Sequence, residues 1–379
     1  KGGKNVKKML RNSKFRFGLL LIFLYYIAAL SLGCTVSQPG SSSSFSPPLV
    51  QGGKLIVHFL DVGQGDAILL CSPGGETLLV DGGPGNQGEA VKAYLKKAGV
   101  KKLDYLVATH PHEDHIGGLK DVLEAFPVET AYLPKVAHTS VTYSRLLDAL
   151  QKNKVKVKEA KAGVSFALGQ EVGLQFLAPV KDNYSNLNNY SAVLLVSYGQ
   201  VAFLLTGDAE KESEGHMLAN GAQVEADVLK VGHHGSSSST SQEFLRKVRP
   251  QYAVISAAKE NDYGHPHKET LALLAREKIE TFWTALAGTI VMETDGKTLS
   301  VNKKAMDLSN YQPPMDEQGG ELDKLWVDSR GRGLIKGNVG SNGKVYHLPG
   351  GEYYSQVKAE VWFKTEREAQ QAGFRKAKG

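Results

Sequence analysis

The sequence predicts an α/β fold of two sheets covered by helices, followed by a small separate module. Two observations predict it. From Lys54 to about Lys304, apolar β-rich runs alternate with helix-like stretches. Some of these runs are joined as hairpins across Tyr-Gly-Gln or Asp-Gly turns and others through helices, which is how two helix-covered sheets are built. At 379 residues and 41% hydrophobic composition, the chain is long enough for one large core with small appendages.

In chain order, strands are expected over 54–60, 67–71, 77–81, 105–109, 172–177, 192–198, 201–206, 228–231, 252–256, 289–294 and 298–302. Helices are expected over 88–98, 117–126, 143–153, 210–219, 241–248 and 268–277. Pro313-Pro314 and Gly319-Gly320 then interrupt all periodicity. The resulting map is a leader (1–34), a linker (35–53), a catalytic-size body (54–304), a second linker (305–330) and a tail module (331–379).

The net charge of +6 suggests a polyanion-binding surface until the charges are located. Residues 1–33 hold seven Lys or Arg and no acid, so the rest of the chain is near −1. Bulk electrostatics therefore give no argument for nucleic acid. The leader joins its basic stretch to an apolar run from Phe15 to Leu32 and a small-residue boundary, Leu30-Ser31-Leu32-Gly33-Cys34. Gly33-Cys34 after such a run resembles a bacterial lipobox, although Ser31 stands where Leu is usual, and implies acylation of Cys34. The alternative is an uncleaved helix anchor, since the run lies near the lower length limit for a span. Both place the body outside the cytoplasm, attached to the membrane. Thr35 to Pro48, rich in Ser, Gly and Pro, reads as a flexible tether. With only Cys34 and Cys71 present, a disulfide-held body is excluded. Cys71 ends a strand-like run and reads as a packing residue.

The chemistry is concentrated at strand ends. His110-Pro111-His112-Glu113-Asp114-His115 follows a buried strand, where α/β folds place their reactive groups. His110 and His112 can approach one ion, while Asp114 and His115 can turn to a second. Imidazole nitrogen with carboxylate oxygen suits zinc, manganese or iron. Thr206-Gly207-Asp208 sets a carboxylate after another apolar strand, and Gly232-His233-His234-Gly235 repeats the device with imidazoles. Two bound cations would activate a shared water and neutralise charge on a phosphoryl or carbonyl oxygen.

His-x-His-x-Asp-His, the later Gly-Asp and the later His-Gly are similar to the metallo-β-lactamase superfamily. His58 to Asp66, Val80-Asp81-Gly82-Gly83, Thr109 to Leu119, Gly232 to Ser236 and Tyr263-Gly264-His265-Pro266 resemble the metallohydrolase domain of ComEC-type competence proteins. The resemblance implies a four-layer αββα metallo-β-lactamase sandwich with two divalent ions, zinc or manganese, at one edge. His110 and His112 would hold the first ion, Asp114, His115 and His234 the second, and Asp208 would bridge them. His233 replaces His234 or lines the pocket. Asp81 would orient a ligand. Asp114 and Asp208 would position the attacking water, and His233 with His265 would contact substrate or leaving group.

The superfamily usually supplies one more His before the bridging Asp, and Asn186 to Ser191 holds none. That implies a weaker first site. His138 and His267 read as loop and surface residues, and the Ser236 to Ser241 run as a helix cap. The expected activity is cleavage of a phosphodiester in DNA, a nucleotide or a wall polymer. The alternatives are a non-catalytic binding or scaffold protein of the same fold, and an acyl or lactam hydrolase. The tail carries nine Lys or Arg against four Glu with a compact aromatic set, and resembles the small sunset module.

Overall fold

In a computed structural model of the chain, residues 53–311, 326–328, 332–340, 343–351 and 353–377 are described. The leader with Cys34, the whole Thr35 to Pro48 tether and much of the 305–330 linker lie outside them.

β1 (Leu55–Phe59), β2 (Ile68–Cys71) and β3 (Thr77–Val80) form an antiparallel meander. The sheet continues in parallel through β4 (Leu103–Val107), β5 (Val128–Leu133) and β6 (Lys156–Glu159). A second sheet starts with antiparallel β7 (Ser165–Leu168), β8 (Val172–Phe176), β9 (Leu194–Tyr198) and β10 (Val201–Leu205). It turns parallel through β11 (Val228–Lys230), β12 (Tyr252–Ile255) and β13 (Glu280–Trp283). β14 (Ile290–Thr294) and β15 (Leu299–Val301) return to the β1 edge, completing orders of 15-14-1-2-3-4-5-6 and 13-12-11-10-9-8-7.

Because strand side chains alternate faces, each sheet presents one face to its partner and one to helices. Phe59, Tyr132, Phe176, Tyr198 and Phe203 fill the space between the sheets. Helices Gly88–Lys97, Leu119–Ala125 and Val141–Lys152 cover the first sheet, burying Val91 and Leu95, Leu119 and Val122, and Leu146 and Leu150 at helical spacing. Helices Lys211–Ala219, Gln242–Val248 and Lys268–Arg276 cover the second through Met217, Phe244 and Leu271. The result is the expected αββα sandwich. Phe203, fully buried, is a point where truncation to Ala is expected to cost about 3–5 kcal/mol.

Several elements differ from expectation for one physical reason: the last residues of the runs leave the ladder to carry the site. The runs 77–81, 105–109, 201–206 and 228–231 stop at Val80, Val107, Leu205 and Lys230. The expected helix 117–126 starts later, as Leu119–Ala125, and a separate turn of helix, Glu113–Ile116, precedes it. Between them Gly118 donates its N–H to Gly83 O at 2.9 Å, and a Cβ on Gly118 would lie 2.2 Å from Gly82 O. The strands β5, β6, β7 and β13 were not expected. At the other end, Met306, Leu308 and Tyr311 pack against the second sheet's outer core, so the packing runs past Lys304.

The tail forms its own sheet of β16 (Ile335–Gly340), β17 (Gly343–His347), β18 (Val361–Phe363) and β19 (Arg375–Lys376), in the order 18-16-17-19. Ile335, Tyr346, Phe363 and Phe374 make its core. The expected aromatic set is thus divided, since Tyr353 and Trp362 are 46% and 50% exposed.

Candidate metal centre

Five parallel strand ends converge here: β3 supplies Asp81, β4 the His110 loop, β10 Asp208, β11 the His233-His234 turn and β12 the loop to His265. The backbone is locally strained, with left-handed φ of 57° at Asp81, 49° at His233 and 55° at His234. Such conformations cost about 1–3 kcal/mol each and persist only where the surroundings enforce them.

Asp81, fully buried, is the anchor of the first loop. Its Oδ1 accepts from Thr109 N at 2.8 Å and its Oδ2 from Thr109 Oγ1 at 2.7 Å. The same Oδ2 lies 2.8 Å from His115 Nδ1, which keeps a proton on Nδ1 and turns Nε2 toward the centre. His234 is oriented in the same way, its Nδ1 donating to Ser256 O at 2.8 Å. The two free Nε2 atoms are 3.2 Å apart. Asp208 Oδ1 lies 3.2 Å from His115 Nε2 and 3.4 Å from His234 Nε2, and Asp114 Oδ2 lies 3.9 and 3.2 Å from the same atoms. Four donors around one zinc-sized ion would sit about 3.4 Å from each other. Asp208 Oδ1 is moreover buried without a hydrogen-bond partner, an arrangement a cation resolves. This half of the centre fits an ion.

The other carboxylate oxygen faces a different set. Asp208 Oδ2 is 3.7 Å from His110 Nε2 and 3.7 Å from His233 Nε2, and His110 Nε2 is 3.0 Å from His112 Nδ1. His233 has its own carboxylate, with Nδ1 at 3.2 Å from Glu210 Oε1 and 3.3 Å from Ser238 Oγ. Ser191 Oγ accepts from Asp208 N at 3.0 Å, and Asn188 sets its Nδ2 within 3.4 Å of the His233 ring. The Asn186 to Ser191 stretch thus lies beside the first half, supplying amides and a hydroxyl and no imidazole. Both His233 and His234 reach Asp208, on opposite oxygens, so the two imidazoles are not alternatives for one place.

Charge differs between the halves. Burial, with the nearby His115 charge, holds His110 well below the ordinary imidazole value, and burial lowers His112. Burial opposes the charged form of His115 and His234 too, but Asp208 and Asp114 outweigh it, raising His115 well above its ordinary value and His234 to about 9. Burial opposes the ionised form of Asp208 and Asp114 as well, yet the His115 and His234 charges hold both carboxyls below their usual range.

His265 is buried beside the centre, its ring 5.2 Å from that of His233 and 6.4 Å from that of His234. Burial, then the His233 and His234 charges, push it down to about 4. His267, expected on the surface, is half-buried: its Nδ1 accepts from Ser237 N at 3.0 Å and its ring packs on His265, because the loop carrying both folds back over the Ser run. Ser241 does cap helix Gln242–Val248, its Oγ accepting from Phe244 N at 3.2 Å. His138 bonds Ser140 Oγ at 2.9 Å within its own loop. Cys71 packs beneath the first sheet's helices, and burial raises its thiol to about 11.

Three residues were missed by the sequence reading. Asp66 and Lys230 form a fully buried ion pair at 2.9 Å behind His234, with Asp66 Oδ1 3.6 Å from His234 Nδ1. Asp66 lies close enough to count among the cation-holding groups. Its position on the Nδ1 side, paired to Lys230, makes it a support for His234 instead. The available signal was a lysine inside the apolar run Val228-Leu-Lys-Val, since a charge in a buried strand requires a partner. Glu210, the third, sits two residues after Asp208 and gave no local signal.

Residues 60–259 match the model of the metallo-beta-lactamase superfamily, and residues 329–376 match a family model described as ArfC. The chain is 35% identical over 251 residues to ComE operon protein 3 of Bacillus subtilis, covering 62% of this chain and 32% of that protein. It is 32% identical over 239 residues to Recombination protein 2 of Haemophilus influenzae, covering 62% and 28%. The chain therefore spans about a third of the length of these relatives. Among solved structures, the metallo-beta-lactamase fold protein YhfI from Bacillus subtilis aligns at 14% identity and a TM-score of 0.44, covering 64% of this chain and 100% of that one.

Proposed function

We propose, from the premise that this chain belongs to the metallo-beta-lactamase superfamily and carries a ComEC-type domain of it, that it is a metal-dependent phosphodiesterase holding two divalent ions, zinc or manganese. The observation that carries the reading is Asp208, whose two oxygens face two separate imidazole sets while Oδ1 has no hydrogen-bond partner. Ions held there would supply an activated water and neutralise charge on a phosphoryl oxygen.

The chain's own residues do the rest. Asp81, Ser256 O and Glu210 each occupy the Nδ1 of one imidazole, so three Nε2 atoms are aimed inward, and those of His115 and His234 would coordinate once their protons leave. Asp114, on a side chain that keeps 29% exposure, stands at the open side of the second half and orients the attacking water. His265, held near 4, is neutral at physiological pH, so its ring N–H donates to a phosphoryl oxygen of the substrate. The substrate class is a phosphodiester of DNA, a nucleotide or a wall polymer. The basic and apolar leader supports a place outside the cytoplasm, anchored through a lipid on Cys34 or through the apolar segment. No helix among the described residues is long and apolar enough to cross a membrane.

A second reading, a non-catalytic binding protein, draws on the missing imidazole at Asn186 to Ser191. One experiment separates the two. Purified protein is assayed for metal content and for hydrolysis of bis-p-nitrophenyl phosphate and nitrocefin with zinc or manganese. Diester turnover that disappears in Asp208→Ala supports the phosphodiesterase. A metal-loaded protein that turns over nothing supports the binding reading, and nitrocefin turnover alone supports a lactam hydrolase.

A further inference from the structure

Between β1 and β2 the chain makes a closed loop whose contacts reach both sheets. Leu60 N donates to Ala67 O at 2.9 Å and closes it. Gly65 turns at a positive φ of 136° with its backbone against Asp114, where a Cβ would meet Asp114 O at 2.1 Å. Asp66 N then donates to Asp114 O at 3.2 Å, and Asp66 O accepts from Gly83 N at 2.8 Å. The loop is thus fastened to the ligand-bearing loop of the first sheet. Its side chains go to the second: Gln64 Oε1 accepts from Ala258 N at 3.3 Å, just past β12, and Asp66 Oδ1 lies 2.9 Å from Lys230 Nζ on β11.

Lys230 comes from inside an apolar strand. Val228 belongs to the core between the sheets and Leu229 to the core outside them, so alternation turns Lys230 inward, from the second sheet toward the first. Its ammonium also donates to Val231 O at 3.0 Å, and both side chains of the pair are 1% exposed or less. The carboxylate it holds lies 3.6 Å from His234 Nδ1, on the side where that ring donates to Ser256 O. A buried ion pair stabilises a fold no better than apolar side chains of similar volume. Stability alone therefore does not account for a charge at the end of β11 that leads into the His233-His234 turn.

We propose that Lys230 and Asp66 are positioning residues that set the spacing of the second ion's ligands across the two sheets. The proposal rests on the two-ion reading above and gives the His58 to Asp66 segment its part in it. Asp114 and His115 come from the first sheet, Asp208 and His234 from the second, and apolar packing between the sheets is without direction. The pair supplies a direction. One charge contact joins Asp66, whose backbone carries Asp114, to the strand that carries His234. Among the described residues, no hydrogen bond or ion pair joins Asp66 or Lys230 to His110, His112 or His233, so the device acts on the second ion and not on the first.

The test measures folding and metal binding separately on the full chain. Lys230→Met/Asp66→Leu replaces the pair by apolar side chains of similar shape. For this variant, the unmodified protein and His234→Ala, thermal unfolding is recorded without metal. Cobalt(II) is then titrated against a chelator while its visible bands are followed, and His234→Ala identifies the step that belongs to the second ion. The apolar pair is expected to unfold no lower than the unmodified protein, to bind the second ion about tenfold or more weakly with altered bands, and to hold the first within about twofold. An apolar pair that binds both ions as tightly as the unmodified protein assigns Lys230 and Asp66 to folding alone and overturns the proposal, as do equal losses at both ions. Should the apolar pair fail to fold, Asp66→Asn, which keeps the shape and removes the charge, takes its place under the same expectation for the two ions. An unmodified protein without a second cobalt step ends the two-ion reading and this proposal with it; two ions bound without dependence on the pair sink this proposal alone.

Discussion

The two halves of the centre share one carboxylate and are prepared for a cation in opposite ways. In the first, His110 and His112 are kept neutral by burial, and the Asp208 Oδ2 contacts are long, at 3.7 Å. In the second, His115 and His234 are charged and neutralised by Asp208 and Asp114 at 3.2 to 3.4 Å in the closest contacts. Protons on the second half's imidazoles would therefore compete with a cation for the Nε2 positions. The first half is a loose set of lone pairs. An ion entering the second half must expel protons, whereas one entering the first does not.

The sharpest test of a shared carboxylate is its removal. Asp208→Ala is expected to empty both halves together and lower diester turnover by at least about a thousandfold, read by metal analysis and kcat. Retention of one full equivalent of metal would show that the halves are independent and break the comparison.

The next largest effect is on pH. A His234 value raised to about 9 from the ordinary 6.5 means that the charged ring stabilises the metal-free fold fully below about 6.5, and that this contribution is lost as pH rises through 9. Metal binding has the opposite slope. Affinity of the second half is expected to rise by up to about a hundredfold between pH 7 and 9 as the competing proton leaves, while the first half stays nearly flat. Chelator-competition titrations at several pH values measure both, and thermal unfolding of the metal-stripped protein over the same range measures the stability. Parallel slopes for the two ions would sink the assignment of charge.

Asp81→Asn probes the same half less severely. Without the carboxylate on Nδ1, His115 loses both its charge partner and its fixed tautomer, so second-ion affinity is expected to drop about tenfold. Equal weakening of both ions would instead mean that Thr109, which Asp81 also holds, positions the whole loop.

These residues were legible in the sequence to different degrees, and the reason is range. His110 to His115 declare themselves because chelation demands rare residue types packed at one strand end. Asp208 and His234 follow the same rule. The fold was legible where apolar runs were long, but β6, with three of four residues exposed, and β7, with alternate residues exposed, carry little periodic signal of burial. They exist because they complete sheet edges that other strands begin. Lys230 and Asp66 are 164 positions apart in numbering and meet only once both sheets are formed. Glu210 depends in the same way on the left-handed turn that swings His233 toward it.

Glu210 therefore offers the finest cut between the halves. Its Oε1 lies 3.2 Å from His233 Nδ1 and also accepts from Ser238 Oγ at 2.9 Å and Asn188 Nδ2 at 3.3 Å, so it gathers the residues around the first half and touches none in the second. Glu210→Gln keeps the size and removes the charge. His233 then faces an amide that can turn either its oxygen or its NH2 to Nδ1, and the lone pair on Nε2 is no longer assured. First-ion affinity is expected to fall several-fold with the second ion unchanged, and His233→Ala should reproduce the effect without adding to it when the two are combined, since both act through one imidazole. Additive losses, or a loss confined to the second ion, would place His233 outside the first half and leave His110 and His112 to hold that ion with Asp208 alone.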